Sequence, residues 1–230
     1  MRILSLLALA QLNFSVVGSF VPLVRCILRP PDSHHTPKRM GVSGNGSEKY
    51  GEIRALRNQP PRPNDNTYWV TENFLAGEYP TDKRSEEESR KKIQKYLDVG
   101  IDFFVDLTQE GERGSYQRIL KEEATKTNRR ARYWRLPVQD FGIPTKEEMQ
   151  QILDTIDSAI ADNKKVYVHC RGGIGRTGTT VGCYLARHGY GGEEALTEVN
   201  RLFQNSNKSY ESSFSPETRA QKTMVKEWKE

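Results

Sequence analysis

The stretch from Lys165 to His188 constrains the fold more than any other part of this chain. The strand-forming run Lys165-Val166-Tyr167-Val168 enters His169-Cys-Arg-Gly-Gly-Ile-Gly-Arg176-Thr-Gly178, and a helix-compatible stretch from Thr177 to His188 leaves it. A strand, a tight glycine loop and a helix in that order place the loop at a helix N-terminus. There the first backbone N–H groups have no partner within the helix and can converge on one point. Gly172, Gly173 and Gly175 permit positive φ and a close approach of backbone to ligand.

A phosphate monoester, nearly a dianion, suits such a loop. The segment Arg171, Gly172, Gly173, Ile174, Gly175 and Arg176 is therefore the expected phosphate cradle. Arg176 carries a planar fork that can hold two phosphate oxygens at once. Cys170 stands in the same field, and helix N-termini and neighbouring cations favour the thiolate form of a cysteine. The expectation is a thiolate nucleophile and a phosphocysteine intermediate. Thr177 is expected to donate its hydroxyl to the sulfur as it leaves. His169, preceding the nucleophile, is expected to brace the loop by hydrogen bonding and to point away from the pocket. A bare Cys-x5-Arg spacing is weak evidence; the flanking strand, helix, glycines and Thr give it weight.

A cradle of this kind serves a binding module as well as an enzyme, and a proton donor separates the two. Phosphoryl transfer expels a poor leaving oxygen, which a carboxylic acid can protonate. Trp134-Arg-Leu-Pro-Val-Gln-Asp140-Phe-Gly-Ile-Pro144 reads as a strand running into a Pro/Gly loop, with Asp140 in the loop. A loop Asp is usually a helix cap. Here Thr145, followed by Glu147 and Glu148, is the better cap, which leaves Asp140 as the general acid. Trp134 and Phe141 read as packing residues.

Together these residues resemble the cysteine-based protein tyrosine phosphatase superfamily, whose phosphate loop reads HCxxGxxR[ST] with an acid about thirty residues upstream. The resemblance implies that Cys170 is the nucleophile, Arg176 the phosphate clamp, Thr177 the leaving-thiolate stabiliser and Asp140 the acid, then the base. It runs along most of Asn64 to Glu230. Trp69 to Pro80 looks like the family's opening strands, and Ser215 to Gln221 like a late turn and helix start. Gln221 either orients the hydrolytic water or is a surface helix glutamine. The chain is short for a classical tyrosine phosphatase and lacks a tyrosine-bearing pocket loop, so the small dual-specificity type is the nearer likeness. Arg171 is the only extra cation in the loop, unlike the two lysines of phosphoinositide phosphatases. The implied activity is removal of phosphate from phosphotyrosine, and with it phosphoserine or phosphothreonine, in proteins. A phosphoglucan or phosphoinositide substrate, or an inactive phosphate reader, are the alternatives.

The 230 residues suit one domain and an N-terminal extension. Ile3 to Ala10, after Arg2, is too short to span a bilayer and fits a secretory h-region. Val17-Gly18-Ser19 offers a cleavage site before Phe20. Residues 1–19 therefore read as a signal peptide, 20–62 as a transit-like segment and 63–230 as the phosphatase domain. The Gly18-Ser19-Phe20 junction resembles the two-part leaders of algae with complex plastids; plain secretion is the alternative. Residues 1–47 hold Arg2, Arg25, Arg29, Lys38 and Arg39 against Asp32, so +4 of the net +5 sits there. The remainder gives no reason to invoke nucleic acid, and no stable membrane insertion is expected.

Three cysteines make no disulfide framework. Cys26 falls in the leader, Cys183 two turns along the helix after Arg176, and a reversible Cys170–Cys183 bridge is conceivable. No spacing suits zinc, His34-His35 reads as incidental, and neither metal nor cofactor is expected.

Elsewhere strand and helix alternate, which predicts an α/β sheet covered by helices. Strands are expected at Asp102–Leu107, Arg132–Val138 and Lys165–His169. Helices are expected at Ser85–Asp98, Tyr116–Lys126, Thr145–Asp162, Arg176–His188, Glu193–Asn205 and Glu217–Lys229.

Overall fold

The structure, a computed structural model, describes residues 59–230. The expected signal peptide, the plastid-type junction, Cys26 and His34-His35 lie outside the described residues. Within them five strands alternate with helices. The strands are β1 (Thr67–Thr71), β2 (Phe74–Gly77), β3 (Phe103–Asp106), β4 (Arg132–Arg135) and β5 (Val166–His169). The α-helices are α1 (Glu86–Asp98), α2 (Gln117–Lys126), α3 (Lys146–Ala161), α4 (Gly175–Arg187), α5 (Gly192–Phe203) and α6 (Arg219–Lys226), with a short 3-10 turn at Asn207–Tyr210. The fold is α/β with a mixed sheet in the order β1-β2-β5-β3-β4. β1 and β2 form an antiparallel hairpin, while β2, β5, β3 and β4 run parallel. Their carboxyl ends therefore share one edge, where open α/β sheets bind ligands.

The two-residue period of β5 divides the core. Val166 and Val168 face the layer of α3, α4, α5 and α6, and Tyr167 faces that of α1 and α2. The same alternation puts Cys170 with the first cluster and the His169 ring against Tyr167, Tyr79 and Tyr116. Met149, Ile152, Leu153, Ile156 and Ala159 of α3 are buried at helical spacing. Each large apolar side chain so buried contributes roughly 1.5–3 kcal/mol.

Helix starts follow their local chemistry. Ser85 accepts from Glu88 N–H at 3.2 Å, and Glu86, Glu87 and Glu88 lie in the first turn of α1, where the helix dipole favours acids. Thr145 and Glu148 form a reciprocal capping box at α3, at 3.1 and 2.8 Å. Two expected packing residues are corrected. Trp134 is 52% exposed because β4 is an edge strand, and Phe141 is 61% exposed beyond the end of that strand. β4 itself stops at Arg135, short of the expected Val138, where Leu136 and Val138 leave the ladder for single bonds to Asp106 and Leu107.

Candidate active site

β5 lies between β2 and β3 and delivers His169 and Cys170 to the carboxyl edge of the sheet. The chain then turns through Arg171 to Ile174 into α4. Gly173 makes the turn with φ +74°, and a Cβ there would lie 2.5 Å from the Gly77 carbonyl carbon, so only glycine fits. That turn aims the Gly173 N–H at Cys170 Sγ, 3.3 Å away. Cys170 is 3% exposed. Tyr79 N–H donates to Arg171 O at 3.2 Å and ties the loop to the end of the hairpin.

Arg176 lies in the first turn of α4, its side chain almost wholly buried among acceptors. Nη1 and Nη2 donate to the two oxygens of Glu112 at 2.7 and 2.6 Å. Nη1 also donates to Val138 O at 3.1 Å, and Nη2 meets Asp140 Oδ1 at 2.8 Å. Burial alone would weaken the proton affinity of Arg176, but Glu112 foremost, with Cys170 and Asp140, raises it. Arg176 in turn holds the Glu112 carboxyl below the usual carboxylate range.

Glu112 is not among the residues the sequence singles out. Its one signal is position: Thr108 to Gly114 is an acidic, glycine-containing loop directly after β3, at the same sheet edge as the cysteine.

His169 is fully buried. Tyr116 OH lies 2.6 Å from Nε2, and Nδ1 lies 3.2 Å from Cys170 O. Burial pushes the imidazole toward its neutral form against the pull of Asp106. A carbonyl oxygen only accepts, so Nδ1 carries the proton and Tyr116 OH donates to Nε2. The ring thus braces the backbone of Cys170.

Beneath it, Asp106 accepts from Thr108 N and Oγ1 at 2.8 and 2.6 Å, and from Tyr133 OH at 2.7 Å. Burial opposes its charge, yet His169, Thr108 and Tyr133 together hold its carboxyl below the usual range. Asp106 and Tyr116 carried no signal in the sequence, because Asp106 reaches His169 from the neighbouring strand and Tyr116 from the start of α2.

Asp140 occupies a tight turn between β4 and α3, and its pairing with Arg176 places the expected acid beside the expected clamp. Thr177 Oγ1 donates to Gly77 O at 3.5 Å, and Cys170 Sγ accepts the Gly173 N–H. Gln221 is fully buried, which removes the surface-glutamine reading: it packs against Gly175. Cys170 and Cys183 are both free and buried, and burial pushes the Cys183 thiol far up. Among the described residues no group of three His, Cys, Asp or Glu could hold a metal ion, and no helix is long and apolar enough to cross a membrane.

Comparison with known proteins places this geometry. The family model described as Swiss Army Knife protein, DSP-PTPase phosphatase domain, matches residues 64–226. Protein tyrosine phosphatase domain-containing protein 1 of Mus musculus is 28% identical over 124 residues, covering 51% of this chain and 16% of that protein. The chain spans less than half the length of the curated relatives it matches. Among solved structures, Tk-PTP in its active form superposes with a TM-score of 0.54 at 22% identity, covering 71% of this chain and 95% of that one. PTPMT1 in complex with PI(5)P gives 0.53 at 19% identity, covering 71% and 94%. These structural likenesses speak for the fold, and the family match covers most of the chain. The protein belongs to the dual-specificity phosphatase domains of the cysteine-based protein tyrosine phosphatase superfamily.

Proposed function

We propose that this phosphatase removes phosphate from phosphotyrosine in proteins, and also from phosphoserine and phosphothreonine, through a phosphocysteine intermediate. The observation that carries the reading is the 2.8 Å contact between Asp140 and Arg176 above the Cys170 loop. It sets the acid beside the clamp, whose charge also feels Cys170. The incoming phosphate replaces Asp140 Oδ1 on Nη2. Cys170 sulfur attacks phosphorus, the P–O ester bond breaks, and the proton of the Asp140 carboxylic acid goes to the departing oxygen. Water then attacks phosphorus, Asp140 takes its proton, and the S–P bond returns its electrons to the thiolate.

Two features favour a protein substrate. Arg171 is the only cation in the loop besides the clamp, fewer than a polyphosphorylated inositol ring calls for. Phe141, exposed beside Asp140, offers an apolar wall to an aryl ester. The PI(5)P complex of PTPMT1, a neighbour in fold, supports a phosphoinositide as the second reading.

The test is a panel of phosphotyrosine, phosphoserine and phosphothreonine peptides, a phosphoinositide and a phosphoglucan, assayed with the full chain. The phosphotyrosine peptide is expected to have the highest kcat/KM, and a higher value for inositide or glucan would overturn the reading. Cys170→Ser is expected to abolish turnover. Asp140→Asn is expected to slow alkyl phosphates by about 10²–10⁴-fold and p-nitrophenyl phosphate far less. Equal slowing would remove Asp140 from the acid role.

A further inference from the structure

We infer that Gln221 is a positioning residue that pins the Asp140 turn over the phosphate loop, and that its amide is committed to this task instead of to the hydrolytic water. The inference rests on the hydrolytic role assigned to Asp140 above and adds the element that sets its place.

The acid lies in a four-residue turn. Gly142 N–H donates to Gln139 O at 2.9 Å, which puts Asp140 and Phe141 at the corner, Phe141 with φ +58°. Two side chains hold this turn from outside, one on each flank of Asp140. Two residues before the acid, Val138 O accepts from Arg176 Nη1 at 3.1 Å. Two residues after it, Gly142 O accepts from Gln221 Nε2 at 3.0 Å. Both anchors belong to the loop's own neighbourhood: Arg176 is the clamp, and Gln221 packs on the residue before it. A Cβ at Gly175 would lie 2.9 Å from Gln221 Oε1 and 3.0 Å from Nε2, so glycine at 175 is what admits the amide.

The other end of the amide is also committed. Oε1 accepts from Thr218 N–H at 3.0 Å and Glu217 N–H at 3.2 Å, and Thr218 Oγ1 accepts from Gln221 N–H at 3.2 Å. This capping box fixes the start of α6 and the orientation of the amide together. With Oε1 held by two backbone donors, Nε2 must point at Gly142. Gln221 is 0% exposed, so its donor has no solvent to fall back on. The helix start, the acid turn and the phosphate loop thus meet at one buried amide. This arrangement holds Asp140 in place before substrate arrives.

The test is Gln221→Glu in the full chain. Glutamate serves a capping box as well as glutamine does and keeps the acceptor for Thr218 and Glu217 N–H, but it has no donor for Gly142 O. Gln221→Met, which removes both ends, is the second variant, and thermal midpoints are read for each. Rapid-mixing kinetics on a series of aryl phosphates with rising leaving-group pKa separate the outcomes.

Pinning predicts that the phosphorylation step slows about 10²-fold, the cost of a misplaced catalytic group, for phenyl phosphate. It predicts a change of no more than about threefold for p-nitrophenyl phosphate, whose leaving group needs little protonation. The loss should vanish in an Asp140→Asn background. A burst of phenol followed by a slow turnover independent of leaving group would assign Gln221 to the water step and overturn the inference. Equal slowing on every ester with a lowered midpoint, or no slowing at all, would overturn it too. If the unmutated protein hydrolyses no aryl phosphate, the assigned reaction itself fails, a result distinct from all of these.

Discussion

Replacing Glu112 by glutamine tests whether the Arg176 guanidinium is held in place by its acidic partner. Arg176 has a side chain 2% exposed, and Glu112 binds both of its terminal nitrogens at 2.7 and 2.6 Å. Glutamine keeps one acceptor oxygen but turns an NH2 group toward the guanidinium, donor against donor. Removing one partner of a buried charge pair costs about 3–5 kcal/mol. Here Arg176 keeps Val138 O and Asp140, and Glu112 is 13% exposed, so part of the loss is recovered. The expected cost is about 2–3 kcal/mol. At about 2–4 °C per kcal/mol for a domain of this size, the thermal midpoint should fall by about 4–12 °C. The released guanidinium should drift from the phosphate position, and a shift near 1 Å corresponds to a loss of about 10²-fold in kcat/KM. The assay is steady-state hydrolysis of an aryl phosphate with and without inorganic phosphate as inhibitor, beside a thermal melt. An unchanged midpoint with kcat/KM within about threefold of the unmutated protein would show that Arg176 needs no acidic partner.

Two further outcomes follow from the same geometry. Gly173→Ala should lower the thermal midpoint and the burst rate together. The residue holds φ +74°, which costs an L side chain about 1–2 kcal/mol, and the added Cβ would overlap the Gly77 backbone. A melt and burst indistinguishable from glycine would mean that the turn tolerates another path. Glu123 should govern part of the acid stability. Burial opposes its charge, but Lys126, Arg90 and Gln94 outweigh it and hold the carboxyl at about 2, below the ordinary 4.5. A carboxyl lowered on folding stabilises above pH 4.5, and that share is lost as the pH falls toward 2. The gap in midpoint between the protein and Glu123→Gln should therefore narrow across this range, and a constant gap would refute the assignment.

Much of the site could be read from the chain because it is built from contiguous residues. Cys170 to Arg176 are contiguous, and the chemistry expected of them follows from residue type and spacing. The cap at Thr145 is equally local, its partner Glu148 three residues away. Alternation along Val166 to His169 is enough to send His169 to the face opposite Cys170. Gln221 could not be placed this way. Helical spacing gives the neighbours on its own helix, yet its buried amide meets Gly175 and the Gly142 carbonyl, the latter 79 positions away in the chain. Trp134 and Phe141 erred in the other direction, since an aromatic beside an apolar strand reads as core until the sheet order makes that strand an edge.

The sequence alone determined the loop on which the proposed chemistry rests: a strand, a glycine loop and a helix N-terminus with cysteine and arginine at its ends. Those groups lie within seven consecutive residues, so residue type and spacing are enough to read them together. Only the tertiary structure decided what holds those groups in place. Glu112 reaches Arg176 across 64 positions, and Tyr116 reaches His169 across 53, because the parallel order β2-β5-β3-β4 gathers distant carboxyl ends on one edge. Pairings of that kind depend on which strand lies beside which, and that is settled by burial of the two apolar faces of the sheet, not by the neighbours of any residue in the chain.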